Sequence, residues 1–132
     1  WHSNPRGRLA AVIVLDQLSR NMYRGTAKRF AADPKALAMA TAGVEAGDDR
    51  QLFVDEAVFL YMPFMHSEDL ADQDRAVELY EAAGLSDNLR FARHHRDIVR
   101  RFGRFPHRNA ILGRSSTPEE QAWLTSGKAF LG

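Results

Sequence analysis

The amino-acid sequence predicts an all-α fold built from antiparallel helix pairs. No stretch alternates apolar and polar residues in the way that a half-buried strand does. Apolar residues instead recur at spacings of three and four, which is the repeat of an amphipathic helix. Helix-end signals separate these stretches: Asp33-Pro34, Ser86-Asp87 and Thr117-Pro118 at starts, and Gly47, Gly84 and Gly103 after ends.

The size and composition of the chain limit what it can be. Its 132 residues fit a single domain, 1–132, with a core of its own. It contains no cysteine, which excludes disulfides and thiolate metal sites. No apolar run reaches the roughly 18 residues of a membrane-spanning helix. We therefore expect no membrane partner and a cytoplasmic location.

The first helix, predicted over residues 7–22, changes from apolar to polar along its length. Residues 9–15 are all apolar, as in a segment that is buried on most sides. Asp16, Arg20 and Arg24 then continue the same stripe at spacings of four. These side chains either form exposed ion pairs or extend from the core into a cleft.

Three helical segments lead to the predicted centre of the fold. A short helical turn covers residues 27–32, and an alanine-rich helix starts at Asp33-Pro34. The most apolar helix is predicted to begin at Asp48-Asp49 and to end at Pro63. We expect its segment 52–61 to be among the most buried parts of the chain.

A polar block follows this central helix. Ser67 is a good N-cap for the next helix, and Glu68 falls in the first turn, where the helix dipole favours an acid. Helix capping therefore explains both residues. His66 has no capping role and directly follows a buried helix, which makes it a stronger candidate for a site.

The long helix from Ser86 leads to a polar loop held between two helix ends. His95 lies on its apolar face, as either a hydrogen-bonded core residue or part of a site. Gly103 suits the left-handed residue after the helix, and Phe105-Pro106 favours an extended backbone. The segment 117–120 then predicts an N-cap and a capping box. Three polar residues lie in between: His107, Arg108 and Asn109.

Successive helix–turn–helix pairs are typical of a tetratricopeptide-like stack, although the repeat signature of that fold is absent and a bundle has the same pattern. The chain also resembles a bacterial family, the "domain of unknown function nine hundred and twenty-four". The resemblance lies in residues 15–25 (LDQLSRNMYRG), 63–73 (PFMHSEDLADQ) and 101–120 (RFGRFPHRNAILGRSSTPEE). It implies an all-α, tetratricopeptide-like fold whose members carry a further N-terminal portion that this chain lacks.

The resemblance also implies a set of characteristic polar positions. They are Asp16, Gln17, Arg20, Asn21 and Arg24 in the first block, His66, Ser67 and Glu68 in the second, and His95, Arg104, His107, Arg108 and Asn109 towards the third. The family supplies no reaction.

Histidines, acids and arginines in separate blocks favour a polar pocket for a small anionic molecule. Histidine transfers protons near neutral pH, and arginine holds carboxylate or phosphate. The candidate catalytic residues are His66, Glu68 and His107. The candidate ligand-binding residues are Asp16, Arg20, Asn21, Arg24, His95, Arg104, Arg108 and Asn109. Two functions follow: an enzyme acting on an anionic metabolite, or a tetratricopeptide-like module that binds a protein or peptide without catalysis.

Other partners are disfavoured by the same residues. The arginine-rich stretch 90–114 lacks exposed aromatic residues on which nucleic-acid bases stack, and the stretch 45–81 is acidic. The histidines lack the local spacing of metal ligands, and neighbouring arginines repel a cation. We therefore predict no nucleic acid, no metal and no cofactor.

Overall fold

A computed structural model describes residues 4–127, which form helices and turns and no strand. The predicted all-α class is confirmed, whereas the tetratricopeptide-like stacking stays a prediction. Within residues 4–127, the structure contains no helix with the length and hydropathy of a membrane span. The α-helices are α1 (Pro5–Ile13), α2 (Ser19–Met22), α3 (Asp33–Glu45), α4 (Val54–His66), α5 (Leu70–Ala82), α6 (Ser86–Phe102), α7 (Asn109–Leu112) and α8 (Pro118–Thr125). Between them lie a π-helical turn, Val14–Leu18, and three 3₁₀ turns, Ala27–Phe30, Asp48–Arg50 and Pro106–Arg108.

The core is organised around α4. The helices α3, α4, α5 and α6 each pack against the next, and α1 packs against α3 and α4. Leu60 is fully buried, and so is Tyr80. Phe53 and Val54, however, are 69% and 56% exposed, so the prediction that the whole segment 52–61 is buried was wrong. The rings of Tyr61 and Tyr80 meet edge to face at 5.4 Å. A second, smaller cluster around Phe105 and Trp123 lies under the C-terminal segment.

Both predicted ends of α4 were wrong. The helix begins at Val54 because the preceding 3₁₀ turn is separate, and the buried carboxylate of Asp48 bonds to Arg8 instead of opening a helix. Pro63 lies inside α4, which continues to His66. A proline there removes one backbone hydrogen bond. Pro63, Phe64 and Met65 are all buried, and the continued helix places His66 at its last position.

The first helix contains a π-helical turn that the sequence pattern did not predict. The turn, Val14–Leu18, joins α1 to α2. Leu9 and Val12 are buried as expected, but Val14 is 45% exposed, so the segment 9–15 is not buried on most sides. Asp16, within the turn, is almost fully buried. Such turns are frequent at functional sites because they change which side chains face inward.

Asp69, rather than Ser67, caps α5. The Asp69 carboxylate accepts from the backbone N–H of Ala71 at 2.8 Å. The Ser67 hydroxyl accepts from the N–H of Asp69 at 3.1 Å and donates to Asp72 at 2.7 Å. Glu68 therefore lies outside the helix, and its side chain is available to the segment 103–120.

The predicted ends of that segment are confirmed. Gly103 follows α6 with φ of 73°, in the left-handed region that favours glycine. Thr117 accepts from the N–H of Glu120 at 3.1 Å, and the Glu120 carboxylate accepts from the N–H of Thr117 at 2.9 Å. This is the predicted capping box.

Candidate functional site

The three polar blocks of the sequence meet in the structure. Asp16 lies in the π-helical turn, His66 at the end of α4, and Arg108 in the 3₁₀ turn after α6. The Nδ1 atom of His66 lies 2.8 Å from the Asp16 carboxylate. Arg108 Nη2 donates to the backbone carbonyl of His66 at 2.7 Å. His66 is thus the point at which the first block is connected to the third.

The environment of Asp16 keeps its carboxyl group charged. Burial alone would raise the pKa of Asp16, but hydrogen bonds and charges from His66, Arg20 and Gln17 lower it below its ordinary value. Because a carboxylate only accepts hydrogen bonds, the proton on His66 lies on Nδ1 and points at Asp16. The second ring nitrogen, Nε2, is left as an acceptor.

His66 is held in its neutral form. Burial lowers the pKa of His66; Asp16 opposes this shift, and the positive charges of Arg20 and Arg108 add to it. The net direction is downward from the ordinary histidine value. A neutral imidazole with Nδ1 oriented by a carboxylate is able to accept a proton at Nε2 near pH 7.

Arg20 is fully compensated by acids. Its Nη1 atom donates to Asp16 at 2.9 Å and to Asp33 at 2.7 Å, and its Nη2 atom donates to Asp33 at 2.9 Å. The sequence assigned Asp33 only to the start of α3. Its position next to the site was not predicted, because its partner Arg20 lies on another helix.

Arg108 differs from Arg20 in having no acid partner. The residue is 7% exposed, and its Cζ atom lies 4.4 Å from the ring centre of Phe30 and 4.7 Å from that of Phe105. Within residues 4–127, no carboxylate lies within salt-bridge distance of Arg108, and its buried Nε atom has no hydrogen-bond partner. Burial, followed by the charge of Arg20, lowers the pKa of Arg108 to about 10. The charges of Glu68 and Asp33 oppose this shift from a distance, so Arg108 is a buried cation at neutral pH without a direct ion-pair partner among the described residues.

A cavity of about 320 Å³ opens beside this cation. Its volume is in the range of small-molecule binding sites. We call it the Arg108 cavity, and its lining residues are Phe30, Asp33, Pro34, Leu37, Pro63, His66, Ser67, Glu68, Arg108 and Leu112. Five of these ten residues are apolar, and apolar atoms supply most of the surface that the cavity exposes.

Glu68 is at the edge of this cavity but is bound to the protein itself. Its two carboxylate oxygens accept from Arg114 at 2.9 and 3.0 Å, and one of them accepts from the backbone N–H of Phe105 at 2.6 Å. Burial alone would raise the pKa of Glu68, but these hydrogen bonds lower it. Glu68 therefore fastens the 103–120 segment to the start of α5. The role of Arg114 was not predicted, because nothing in the sequence distinguishes it from the other arginines of this stretch.

Four other predicted site residues lie away from the cavity. Arg104 forms two hydrogen bonds with Glu120, at 2.9 and 2.8 Å. Asn109 is buried, donating to Ser116 at 3.1 Å and accepting from Arg114 at 3.0 Å. Two residues are exposed and contact each other at 3.3 Å: Asn21 and Arg24.

His95 and His107 both contact the buried ring of Phe105, at centre-to-centre distances of 5.6 Å. The Nδ1 atom of His95 also bonds to the carbonyl of Phe91 in its own helix at 2.7 Å. Burial lowers the pKa of His95 to about 3. Burial, then the charges of Arg108 and Arg29, lowers the pKa of His107 to about 4. Both histidines are neutral near pH 7, beside the cavity rather than in its lining.

Comparisons with known proteins place the chain in a family. Residues 1–128 match the family described as "Bacterial protein of unknown function (DUF924)". The chain belongs to this family. Among solved structures it is similar to "Structure of Protein of Unknown Function ATU0120 from Agrobacterium tumefaciens", with 46% sequence identity and a TM-score of 0.92. The alignment covers 96% of this chain and 72% of that one. No curated protein matches the chain.

This DUF924 member has a second cavity, of about 520 Å³, on another side of α4. Its polar lining includes Arg50, Arg75 and Tyr61, and Tyr61 donates a hydrogen bond to Asp49 at 2.7 Å. None of the site residues predicted from the sequence lines it. Across residues 4–127, no three histidine, aspartate or glutamate side chains are grouped as a metal ion requires.

Proposed function

We propose that the Arg108 cavity binds a small anionic molecule and that Arg108 is the cation that holds it. One observation carries the proposal: Arg108 is buried, charged and without a carboxylate partner, and it lines a cavity. Burying an uncompensated charge costs several kcal/mol in an apolar surrounding. A bound anion offsets that cost, because a guanidinium forms strong charge-assisted hydrogen bonds with carboxylates and phosphates.

We further propose that His66 acts as a base toward the bound molecule, which would make the protein an enzyme for an anionic metabolite. Asp16 orients the ring and fixes the proton on Nδ1, as in other carboxylate–histidine pairs. Glu68 is committed to Arg114, so we assign it to holding the loop rather than to proton transfer. His107 contacts Phe105, which in turn contacts Arg108, and we assign it to positioning the cation. The expected cytoplasmic location is part of this proposal.

The proposal is tested by nuclear magnetic resonance titration of the ¹⁵N-labelled chain with acetate, sulfate and inorganic phosphate. Saturable shifts of the amides around Arg108, His66 and Phe30 are expected for at least one anion. Arg108→Met abolishes them, whereas Arg50→Met, in the second cavity, leaves them unchanged. If none of the three anions causes saturable shifts at the highest concentration at which the chain stays folded, or if the shifts are equal in wild type and Arg108→Met, the proposal is overturned.

The second candidate function is a module that binds a protein or peptide without catalysis. The observation in its favour is a row of exposed apolar residues on the first helix, where Val14, Leu18 and Met22 are 45%, 46% and 70% exposed. Exposed apolar rows of this kind are common at protein interfaces. If this function is correct, Leu18→Ser combined with Met22→Ser abolishes partner binding while the anion titration shows no binding in the wild-type protein.

A further inference from the structure

We infer that the ligand of the Arg108 cavity is a monocarboxylate with a compact, branched apolar substituent. The inference rests on the proposed anion-binding function and names the chemical class of its ligand. It follows from three properties of the cavity: the pairing of its charged side chains, the donors of its cation and the nature of its remaining lining.

The charge of the lining favours a single negative charge on the ligand. Three side chains with formal charges line the cavity: Asp33, Glu68 and Arg108. Arg20 is shared between Asp33 and Asp16, and Arg114 pairs with Glu68 through two hydrogen bonds. Arg108 is left as the one charged side chain of this lining without an ion-pair partner among residues 4–127. A dianion such as a phosphate monoester would place an excess negative charge next to two carboxylates, which disfavours it.

The cation itself suits a flat anion. A guanidinium is planar and binds carboxylates through parallel N–H···O bonds in its own plane. The rings of Phe30 and Phe105 lie close to Arg108, and Nη2 is used by the His66 carbonyl. A ligand of Arg108 therefore has to accept hydrogen bonds from the remaining donors, which lie in the guanidinium plane. A carboxylate matches this arrangement with two oxygens in one plane, and so does a phosphate, so the choice between the two anions rests on the charges and the apolar part of the lining.

The remaining lining requires an apolar group on the ligand. Pro34, Leu37, Pro63 and Leu112 line the cavity together with the ring of Phe30. A volume of about 320 Å³ is larger than a carboxylate group needs. Apolar walls stabilise a complex only when they contact apolar atoms of the ligand, and the stabilisation is proportional to the apolar area removed from water. Inorganic phosphate and acetate leave these walls unused, whereas a branched substituent of a few carbons covers them.

The test is isothermal titration calorimetry of the whole chain with 3-methylbutanoate, its neutral amide, acetate and inorganic phosphate. We expect 3-methylbutanoate to bind at least about tenfold more tightly than acetate, because of the added buried carbons. The amide, which has the same shape without the charge, shows no measurable binding. Phosphate binds more weakly than 3-methylbutanoate.

Two variants locate the effect. Arg108→Met lowers the affinity for 3-methylbutanoate at least tenfold, and Leu37→Ser reduces the preference for 3-methylbutanoate over acetate without affecting acetate itself. Arg50→Met is the matched control and changes neither affinity. The amide comparison uses wild-type protein, so the charge requirement is tested even where a variant fails to fold.

The outcomes separate this inference from the proposed function. If phosphate binds more tightly than every carboxylate and Arg108→Met abolishes that binding, the anion site stands and the monocarboxylate assignment is wrong. If the amide binds as tightly as the carboxylate, the assignment is likewise wrong. If none of the probes binds the wild-type protein, both the assignment and the anion site fall.

Discussion

The segment 103–120 contains two regions in which arginines have opposite surroundings. In one region, which we call the clamp, Arg104 binds Glu120 and Arg114 binds Glu68, each through two hydrogen bonds. In the other region, Arg108 lies against aromatic rings and bonds only to a backbone carbonyl within residues 4–127. Arg104 and Arg114 thus stabilise the fold, whereas Arg108, between them in the sequence, faces a cavity without an ion-pair partner in the described part of the chain.

The difference shows how a structural arginine is told apart from a candidate binding residue. A buried charge that already has its partner contributes to the folded state and gains little from a ligand. A buried charge without a partner is costly in the empty protein, and that cost is recovered when an anion binds. Burial alone does not separate the two cases. The two cases are distinguished by whether a carboxylate lies within hydrogen-bond distance of the arginine.

The largest effect is expected from breaking the clamp. Arg114→Met leaves Glu68 partly buried with only the backbone N–H of Phe105 as a partner. Breaking a fully buried ion pair costs about 3–5 kcal/mol. Both side chains of this pair are 25% exposed, so we expect a loss of about 2 kcal/mol in the free energy of unfolding, measured by urea denaturation.

The matched control for this prediction is Arg101→Met. Arg101 pairs with Glu119 at 3.0 Å on the same segment, but both side chains are more than half exposed. Exposed pairs contribute about 0–1 kcal/mol. Equal losses in the two variants would show that the clamp does not hold the segment.

The two regions should also lose stability in different ranges of pH. His107, beside Arg108, has a folded-state pKa of about 4, lowered from 6.5. Because the unfolded chain binds this proton first, the free energy of unfolding falls as the pH drops from 6.5 toward 4, by about 1 kcal/mol per pH unit.

In the clamp, hydrogen bonds from Arg104 lower the pKa of Glu120 to about 2 from 4.5, although burial opposes them. Its contribution is therefore present above pH 4.5 and lost as the pH falls toward 2.

His107→Asn tests this separation. We expect the variant to reduce the slope of unfolding free energy against pH between 6.5 and 4.5. The measurement is urea denaturation at a series of pH values. The same slope in wild type and His107→Asn would show that His107 is not held neutral in the folded protein.

Arg108→Met should have a small effect on stability, in contrast to Arg114→Met. The variant removes one hydrogen bond to the His66 carbonyl, and it also removes an uncompensated buried charge. These contributions oppose each other, so we expect the free energy of unfolding to change by less than about 1 kcal/mol. A loss as large as that of Arg114→Met would place Arg108 among the structural arginines.

Features that depend on local sequence could be predicted in this chain. The left-handed Gly103 and the capping box from Thr117 to Glu120 rest on neighbours a few residues away, and both are present. The beginning of α4 could not be predicted in this way. Asp48 looks like a helix-opening residue, but it is bound by Arg8, which lies far away in the sequence.

The candidate site shows the same limit. Histidines and arginines in three blocks indicated a meeting point, and Asp16, His66 and Arg108 do meet. Which arginine would have an acid partner could not be predicted, since Glu68 and Arg114 approach each other only in the folded chain. The π-helical turn that buries Asp16 also has no signal in a pattern of apolar spacings.

Removing either of the two charges beside His66 should change its pKa, and in opposite directions. Asp16 raises the pKa of His66, and Arg20 lowers it. Asp16→Asn keeps an oxygen that can accept from Nδ1 but removes the negative charge, so the pKa of His66 should fall further. Arg20→Met removes a positive charge, so the pKa should rise toward that of an ordinary histidine. Both are measured by following the ring protons of His66 against pH by nuclear magnetic resonance, with His66→Gln to identify the signal. A rise in Asp16→Asn would mean that Asp16 is not the charged partner that orients His66, and the proposed base would then lack its support.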